Sequence, residues 1–391
     1  MRPWRILLTI PFLCMFLLAA CNLPTGDQEA EGLPDATAAA SPSQNGPSPG
    51  EIPLPLVPDA QVFSIEMLDP LNGWALASGY VLRTDDGGST WYDATPTGVS
   101  DFVSRVTSRF FLDIHTAWLL ILAPQDGMPA TLYITGDGGL TWTATGVPFD
   151  GGDLRFVDPD HGRVLVSLGA AAGSQAVAIY QTADGGVNWN QVYINDPTVP
   201  GAADSLPLSG RKTGMTFSDP AHGWVTGDIP MEGFVYLYTT GDGGASWSLQ
   251  APRLPVGFET AMTVLDAPVF FNAGDGILHA LLYLDDPWTG FFVTRDGGQS
   301  WSSTQPVHAT GLHATPAPGE IILWDGAAPM YVSHDSGVTW STVTPGVDLG
   351  GDLFQLEFVD AAHGWAVSFD GSASRLFQTD DGGASWTRLL P

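Results

Sequence analysis

An eight-residue phrase, first met as Thr84-Asp85-Asp86-Gly87-Gly88-Ser89-Thr90-Trp91, recurs along the chain to its C-terminal end. It returns as TGDGGLTW ending at Trp142, TADGGVNW at Trp189, TGDGGASW at Trp247, TRDGGQSW at Trp301, SHDSGVTW at Trp340 and TDDGGASW at Trp386. The seven tryptophans fall 51, 47, 58, 54, 39 and 46 residues apart. A fixed phrase at such periods marks an array of like units, each of which must hide its faces against its neighbours.

Each copy reads as a tight β-hairpin. The Asp (Asp86, Asp137, Asp184, Asp242, Asp296, Asp335, Asp381) is placed to accept backbone N–H groups just downstream, and the next Gly can take positive φ. The Ser or Thr two residues earlier (Thr84, Thr135, Thr182, Thr240, Thr294, Ser333, Thr379) adds a hydroxyl to the same turn. The Trp (Trp91, Trp142, Trp189, Trp247, Trp301, Trp340, Trp386) opens the next strand and can fill a gap between layers. Two copies deviate: Ser336 replaces the first Gly, and Asn188 replaces the Ser or Thr before Trp.

A second phrase precedes the first in most units. It is Asp69-Pro70-Leu71-Asn72-Gly73-Trp74 in the first, Asp158 to Gly162 in the third, Asp219 to Trp224 in the fourth and Asp360 to Trp365 in the last. The second unit keeps Asp113 and Trp118, the fifth has Asn272 to Gly276, and the sixth only Pro318-Gly319-Glu320. Apolar residues stand just before these turns, as Met67, Phe111, Phe156, Phe217, Phe271 and Phe358. The first unit then reads as strands Val62 to Leu68, Trp74 to Ala77, Tyr80 to Thr84 and Thr90 to Ala94. Gly 47, Pro 31 and Trp 14 with only 14% charged residues suit many short strands joined by turns. The expected fold is all-β, a ring of seven four-stranded antiparallel blades spanning 59–391, closed without a swapped strand.

The seven phrases match the S/T-x-D-x-G-x-x/T-W pattern, so the chain resembles the Asp-box or BNR-repeat proteins of the sialidase-like superfamily. The resemblance implies a β-propeller with the phrase between the third and fourth strands of each blade. Over about residues 60 to 391 the pair of phrases resembles the photosystem II assembly factor family and its bacterial relatives outside photosynthesis. That resemblance implies a seven-bladed, non-catalytic binding platform with an Arg-rich surface, for which Arg105, Arg109, Arg155 and Arg211 are the counterparts here.

Residues 1–21 carry Arg2 and Arg5, an apolar run from Ile6 to Leu18, and then Ala19-Ala20-Cys21, an export signal. Leu18-Ala19-Ala20-Cys21 resembles a bacterial lipobox, which implies a lipid on Cys21 and a place in the cell envelope. An uncleaved anchor and a plain secretory signal are the alternatives. Cys14 and Cys21 are the two cysteines, so a chain cut before Cys21 has no disulfide. Residues 22–58, rich in Pro, Ala, Ser, Gly and acids, form a tether of about 35 residues with a coil dimension of roughly 30 to 35 Å.

A net charge of −29 opposes binding to nucleic acid or anionic membrane surfaces. Binding function is expected on the variable loops at the end opposite the repeated turns: Ala123 to Ala130, Gly169 to Gln175, Asp196 to Gly210, Asp228 to Gly233, Pro252 to Asp266 and Asp285 to Gly290. Arg105, Arg109, Arg155, Arg211 and Lys212 fall just before or within first strands of successive units and are candidates for a cationic channel mouth. Such a mouth would attract a protein or acidic peptide, or less readily a glycan. Pairing of each base with a nearby Asp is the plain alternative.

The Asp-box resemblance also points to sialidases and glucan-cleaving propellers. A sialidase-like site needs an Arg cluster, a Tyr nucleophile and an acid, and the chain has no Arg-Ile-Pro phrase near its N-terminus. A two-carboxylate hydrolase could draw on Glu259, Asp285 or Asp286. The Asp-Gly-Gly loops fail as EF-hands, because the twelfth position counted from Asp85 is Pro96. His161, His222 and His363 recur at one turn of separate units and read as parts of the repeat rather than ligands. The reading expects no metal, no cofactor and no catalytic residue.

Overall fold

The computed structural model describes residues 53–99, 105–123, 125, 127–349 and 352–389. The expected export segment with Cys21, and most of the expected tether, lie outside the described residues. Twenty-nine strands occur among those residues, with no helical element.

They run in seven consecutive sets. The first is β1 (Val62–Met67), β2 (Gly73–Ala77), β3 (Tyr80–Thr84) and β4 (Tyr92–Asp93). The second is β5 (Val106–Phe111), β6 (Ala117–Ile121), β7 (Thr131–Thr135) and β8 (Thr143–Gly146), and the third β9 (Asp153–Phe156), β10 (Gly162–Ala171), β11 (Ser174–Thr182) and β12 (Asn190–Ile194). The fourth is β13 (Arg211–Phe217), β14 (Gly223–Asp228), β15 (Leu237–Thr240) and β16 (Ser248–Leu249). The fifth has a divided first strand, β17 (Met262–Leu265) and β18 (Val269–Phe270), followed by β19 (Gly276–Tyr283), β20 (Pro287–Thr294) and β21 (Ser302–Ser303). The sixth is β22 (Leu312–Ala317), β23 (Glu320–Trp324), β24 (Met330–Ser333) and β25 (Ser341–Val343), and the last β26 (Leu353–Phe358), β27 (Gly364–Phe369), β28 (Ser374–Thr379) and β29 (Thr387–Arg388).

Five sets are separate four-stranded antiparallel sheets in sequence order. The fourth and fifth are joined into one nine-stranded sheet by a single pairing of Asp228 with Val264. Neither the first set nor the last borrows a strand from the other.

Burial follows strand order. The second strands β2 and β6 are buried at every residue, whereas the fourth strands β16 and β29 are exposed. An unbroken apolar run such as Ala-Trp-Leu-Leu-Ile in β6 fits a strand covered on both faces. The covers are the neighbouring sets. Trp74, Leu76 and Val81 of the first set meet Phe111, Leu119 and Ile121 of the second. Further clusters join the second to the third, third to fourth, fourth to fifth, fifth to sixth and sixth to last. A final cluster closes the series, with Val62, Ile65, Met67 and Leu82 of the first set against Trp365, Val367 and Leu376 of the last.

Three sequence expectations shift. Residues 53–58 belong to the fold rather than to the tether, because Leu54 and Val57 pack on the first set and Val57 N donates to Trp91 O at 2.9 Å. The apolar residue before the fifth turn is Phe270, not Phe271; Phe270 pairs with Gly276 and its ring lies 4.5 Å from that of Trp224. Two expected loops are mostly strand, since β10 and β11 run on to a tip at Ala172-Gly173, and β19 and β20 to a turn at 284–286.

Candidate functional site

The recurring turns define one end of the molecule. In the first copy Thr84 Oγ1 donates to Asp86 Oδ1 at 2.9 Å and accepts from Gly88 N at 2.9 Å. Asp86 in turn accepts from Thr90 N at 2.9 Å and Thr90 Oγ1 at 2.6 Å. Asp137, Asp184, Asp242, Asp335 and Asp381 hold the same bonds, as does Asp296. The two deviant copies preserve the pattern by substitution. Asn188 Nδ2 replaces the hydroxyl, donating to Asp184 Oδ2 at 2.7 Å, and Ser336 adopts the glycine-like φ of 62°.

These bonds hold Asp184 and Asp381 below the usual carboxylate range, and lower Asp296 to about 2, chiefly through its bond from the Ser300 hydroxyl. The hairpin is also tied to the first turn of its own set: Gly87 N donates to Leu71 O at 2.8 Å, and Gly382 N to Ala362 O at 2.9 Å. Both turns therefore share one end. At the first turn Asp69, Asp158, Asp219 and Asp360 each accept two backbone N–H groups, and His161, His222 and His363 bond the same Asp through Nδ1 at 2.8 to 2.9 Å. The three histidines are local turn elements.

Of the phrase tryptophans, Trp91, Trp247, Trp301 and Trp386 are buried, while Trp142, Trp189 and Trp340 are half-buried. The second-strand tryptophans, to which the sequence reading gave no role, join one set to the next. Trp74 Nε1 donates to Asp113 O at 3.1 Å, Trp118 Nε1 to Gly185 O at 2.8 Å, and Trp365 Nε1 to Gly87 O at 2.8 Å.

First strands of neighbouring sets lie side by side, β1 by β26, β5 by β9, β9 by β13 and β22 by β26. Their side chains reach across. Glu357 Oε1 accepts from Met67 N at 2.7 Å, Gln355 brackets Ile65 through both its amide atoms at 2.7 and 3.0 Å, and Arg109 Nη2 donates to Ser64 Oγ at 2.5 Å. Burial pushes Glu357 up to about 8; the Met67 N–H opposes this, the charge of Glu66 adds to it and that of Arg109 opposes it. Glu66 is raised by burial too, against the pull of Arg109 and Arg155. Two of the basic candidates thus converge on one acidic pair whose members lie 291 residues apart in sequence.

Arg155, whose charge also acts on Glu66, and the other candidates apart from Arg109 are spread toward the opposite, loop end. Arg155 and Lys212 line one 480 Å³ cavity together with Asp150, Asp153, Ser167 and Gln175. Arg155 pairs with Asp153 at 3.2 Å, and burial raises Asp153 against that pairing. Arg211 lines an adjacent 340 Å³ cavity and pairs with Asp228 at 2.6 Å. Arg105 Nε donates to Leu122 O at 2.9 Å.

Lys212 does not stand at an open mouth. It is 7% exposed, its Nζ donates to the carbonyls of Pro207 at 2.6 Å and Gln175 at 3.0 Å, and burial lowers its pKa to about 8. The lining around the basic candidates is therefore of mixed charge, with Asp150 and Asp153 beside Arg155 and Lys212 and Asp228 beside Arg211. Glu259, Asp285 and Asp286, the loop acids, are exposed.

Among the described residues one donor group could hold a metal, Asp266 with His279 and His313, which sequence reading missed. The expectation of no metal weighed the Asp-Gly-Gly loops and the turn histidines, and not these three residues. Burial lowers His313 to about 3, with His279 acting the same way and Asp266 against it.

No protein-family model matches the chain. It is 23% identical over 306 residues to the photosystem II assembly lipoprotein Ycf48 of Synechococcus sp. (strain CC9902), covering 74% of this chain and 77% of that protein. It is 24% identical over 264 residues to a xyloglucanase of Hypocrea jecorina (strain QM6a), covering 64% of this chain but only 26% of the enzyme. Among solved structures, YCF48 bound to a D1 peptide superposes with a TM-score of 0.50 at 18% identity, over 88% of this chain and 98% of that one. The GH74 enzyme of Niastella koreensis superposes with a TM-score of 0.56 at 16% identity, over 84% and 53%. The chain is thus similar in sequence to Ycf48, and shares its fold with Ycf48 and with GH74 enzymes.

Proposed function

We propose that the chain is a seven-bladed Asp-box β-propeller that binds another protein or a peptide at its loop end and performs no chemistry. Seven phrases, seven strand sets and seven apolar junctions, the last joining end to beginning, support the sevenfold ring. The observation that carries the binding reading is the match over 98% of a relative whose structure holds a D1 peptide. The mixed-charge lining suits a peptide with charges of both signs, because Arg155, Arg211 and their acids offer paired hydrogen bonds along one rim. Export, a lipid on Cys21 and a cell-envelope location belong to the same proposal, on the sequence features of residues 1–21.

A glycan hydrolase is the second reading, favoured by the xyloglucanase match and by Glu357. A carboxyl raised to about 8 is protonated at neutral pH, as a general acid must be, and Glu66 lies close enough to influence it. The Met67 N–H already occupies Glu357 Oε1 at 2.7 Å, which weighs against it. Incubation of the purified chain with xyloglucan, other β-glucans and fluorogenic sialosides tests the choice. The binding reading expects no turnover above blank; turnover that Glu357→Gln abolishes would overturn it.

A further inference from the structure

The first strand of the fifth set breaks between β17 and β18, and Asp266 sits in the break. Its Oδ2 lies 2.6 Å from Nδ1 of His279, on β19 of the same set, and 3.8 Å from Nε2 of His313, on β22 of the next. The two imidazoles are stacked with centroids 3.9 Å apart, and one donor atom from each of the three residues lies within 4.8 Å of the others. Phe291 walls off the histidines, its ring centroid 5.5 Å from His279 and 6.2 Å from His313.

This arrangement differs from the turn histidines. There an Asp and a His three residues apart meet at an exposed turn as part of the repeat. Here the groups come from three strands or strand ends of two sets and occur once among the described residues. The protein's own bonding leaves the cluster incomplete. His313 Nε2 stands too far from the carboxylate for a hydrogen bond, so of the two stacked imidazoles one is bonded to Asp266 and the other is not. A carboxylate and two imidazoles brought this close, with only one bond among them, form a set that a shared ligand would complete.

We propose that Asp266, His279 and His313 bind one divalent transition-metal ion of the zinc class. Two imidazoles and one carboxylate suit zinc, nickel or copper far better than calcium or magnesium. Donors around a tetrahedral zinc ion lie roughly 3.3 Å apart, given bond lengths of about 2.0 to 2.2 Å. To reach that spacing the 2.6 Å separation must widen by about 0.7 Å, the 3.8 Å separation must close by about half an ångström, and the two imidazole donors, which lie within 4.8 Å of each other, must also adjust. Three protein donors leave a fourth position to water or to a ligand. The Asp266 side chain is 53% exposed, so that position opens toward solvent.

The test uses the full-length chain, freed of metal by a chelator and then titrated with Co²⁺ as a visible-absorbing probe for zinc. The wild-type chain should show d–d absorption that saturates at one ion and is displaced by Zn²⁺. His313→Ala should weaken binding on the order of tenfold or more. Asp266→Asn, nearly isosteric, should weaken it too and covers the case in which His313→Ala fails to fold. His363→Ala, at a surface turn, should leave it unchanged. Cys14 and Cys21 are common to every variant, so any thiol binding cancels in the comparison. Equal Co²⁺ binding by wild type, His313→Ala and Asp266→Asn would overturn the proposal, as would no binding by the wild-type chain.

Discussion

Replacing Trp365 and Trp224 by Phe, one at a time, separates the hydrogen bond that joins neighbouring sets from the apolar filling around it. The two tryptophans occupy the same place in their sets, directly after the Gly that opens the second strand, and are 0% and 3% exposed. Trp365 Nε1 donates to Gly87 O across the junction of the last set with the first. Trp224 Nε1 is buried without a partner, although its ring lies against Gly298 of the fifth set. Both changes remove part of an indole from a packed interface, a loss of about 1 to 2 kcal/mol at 25 cal/mol per Å². Trp365→Phe also breaks a bond and strands the Gly87 carbonyl, which costs a further 1 to 3 kcal/mol or so. Trp224→Phe removes an orphaned N–H and so recovers part of its packing loss. Calorimetric unfolding should place Trp365→Phe several degrees below Trp224→Phe, at about 2 to 4 °C per kcal/mol for a domain of this order. Equal midpoints, or a lower one for Trp224→Phe, would refute the assignment of the indole N–H as the tie between sets.

Other perturbations test other parts of the account. Glu357 has a folded pKa of about 8 against an ordinary value of 4.5, so the folded state holds the proton more tightly and its contribution to stability falls as pH rises across that window. Denaturant titrations of wild type should show a loss of up to about 1.4 kcal/mol per pH unit there, and Glu357→Gln should flatten it; an unchanged slope in the variant counts against the buried acid. Lys212 works in the opposite window: its pKa is lowered from 10.5 to about 8, so its contribution to stability rises between those values. Lys212→Met should remove that rise while costing about 2 to 4 kcal/mol at pH 7 through the carbonyls it strands, and a variant as stable as wild type contradicts the burial. Ser336→Gly should be neutral or stabilising by up to about 1 kcal/mol, because Ser336 holds the left-handed φ of 62°; a clear loss in thermal midpoint contradicts that reading.

The parts of the fold legible in the sequence are those held by local bonds. Thr84, Asp86, Gly88 and Thr90 interact within one short turn, so the phrase announces its own geometry, and Asn188 shows that a different donor can serve the same oxygen. The first turn was equally readable from Asp69 and Asp360, whose carboxylates cap N–H groups two and three residues on. Contacts between sets carry no such mark. Glu66 and Glu357 meet only because the last set closes on the first, and His313 joins Asp266 across a junction between two sets. Lys212 looked like a surface base in sequence; its immersion depends on the segment carrying Pro207 and Leu208 folding back over its amine. The tip at Ala172-Gly173 had the composition of a loop, yet the alanines and serine beside it extend the β10–β11 ladder.

The division of labour between a structural turn end and a recognising loop end is the claim on which the functional reading depends. Val256, 83% exposed on the loop end, and Val187, 56% exposed on a turn, can each be replaced by a photo-crosslinking amino acid in the chain as its own cells produce it. The account predicts a discrete protein adduct from position 256 and none from position 187. A matching adduct from 187 alone, or the same adducts from both, would contradict it.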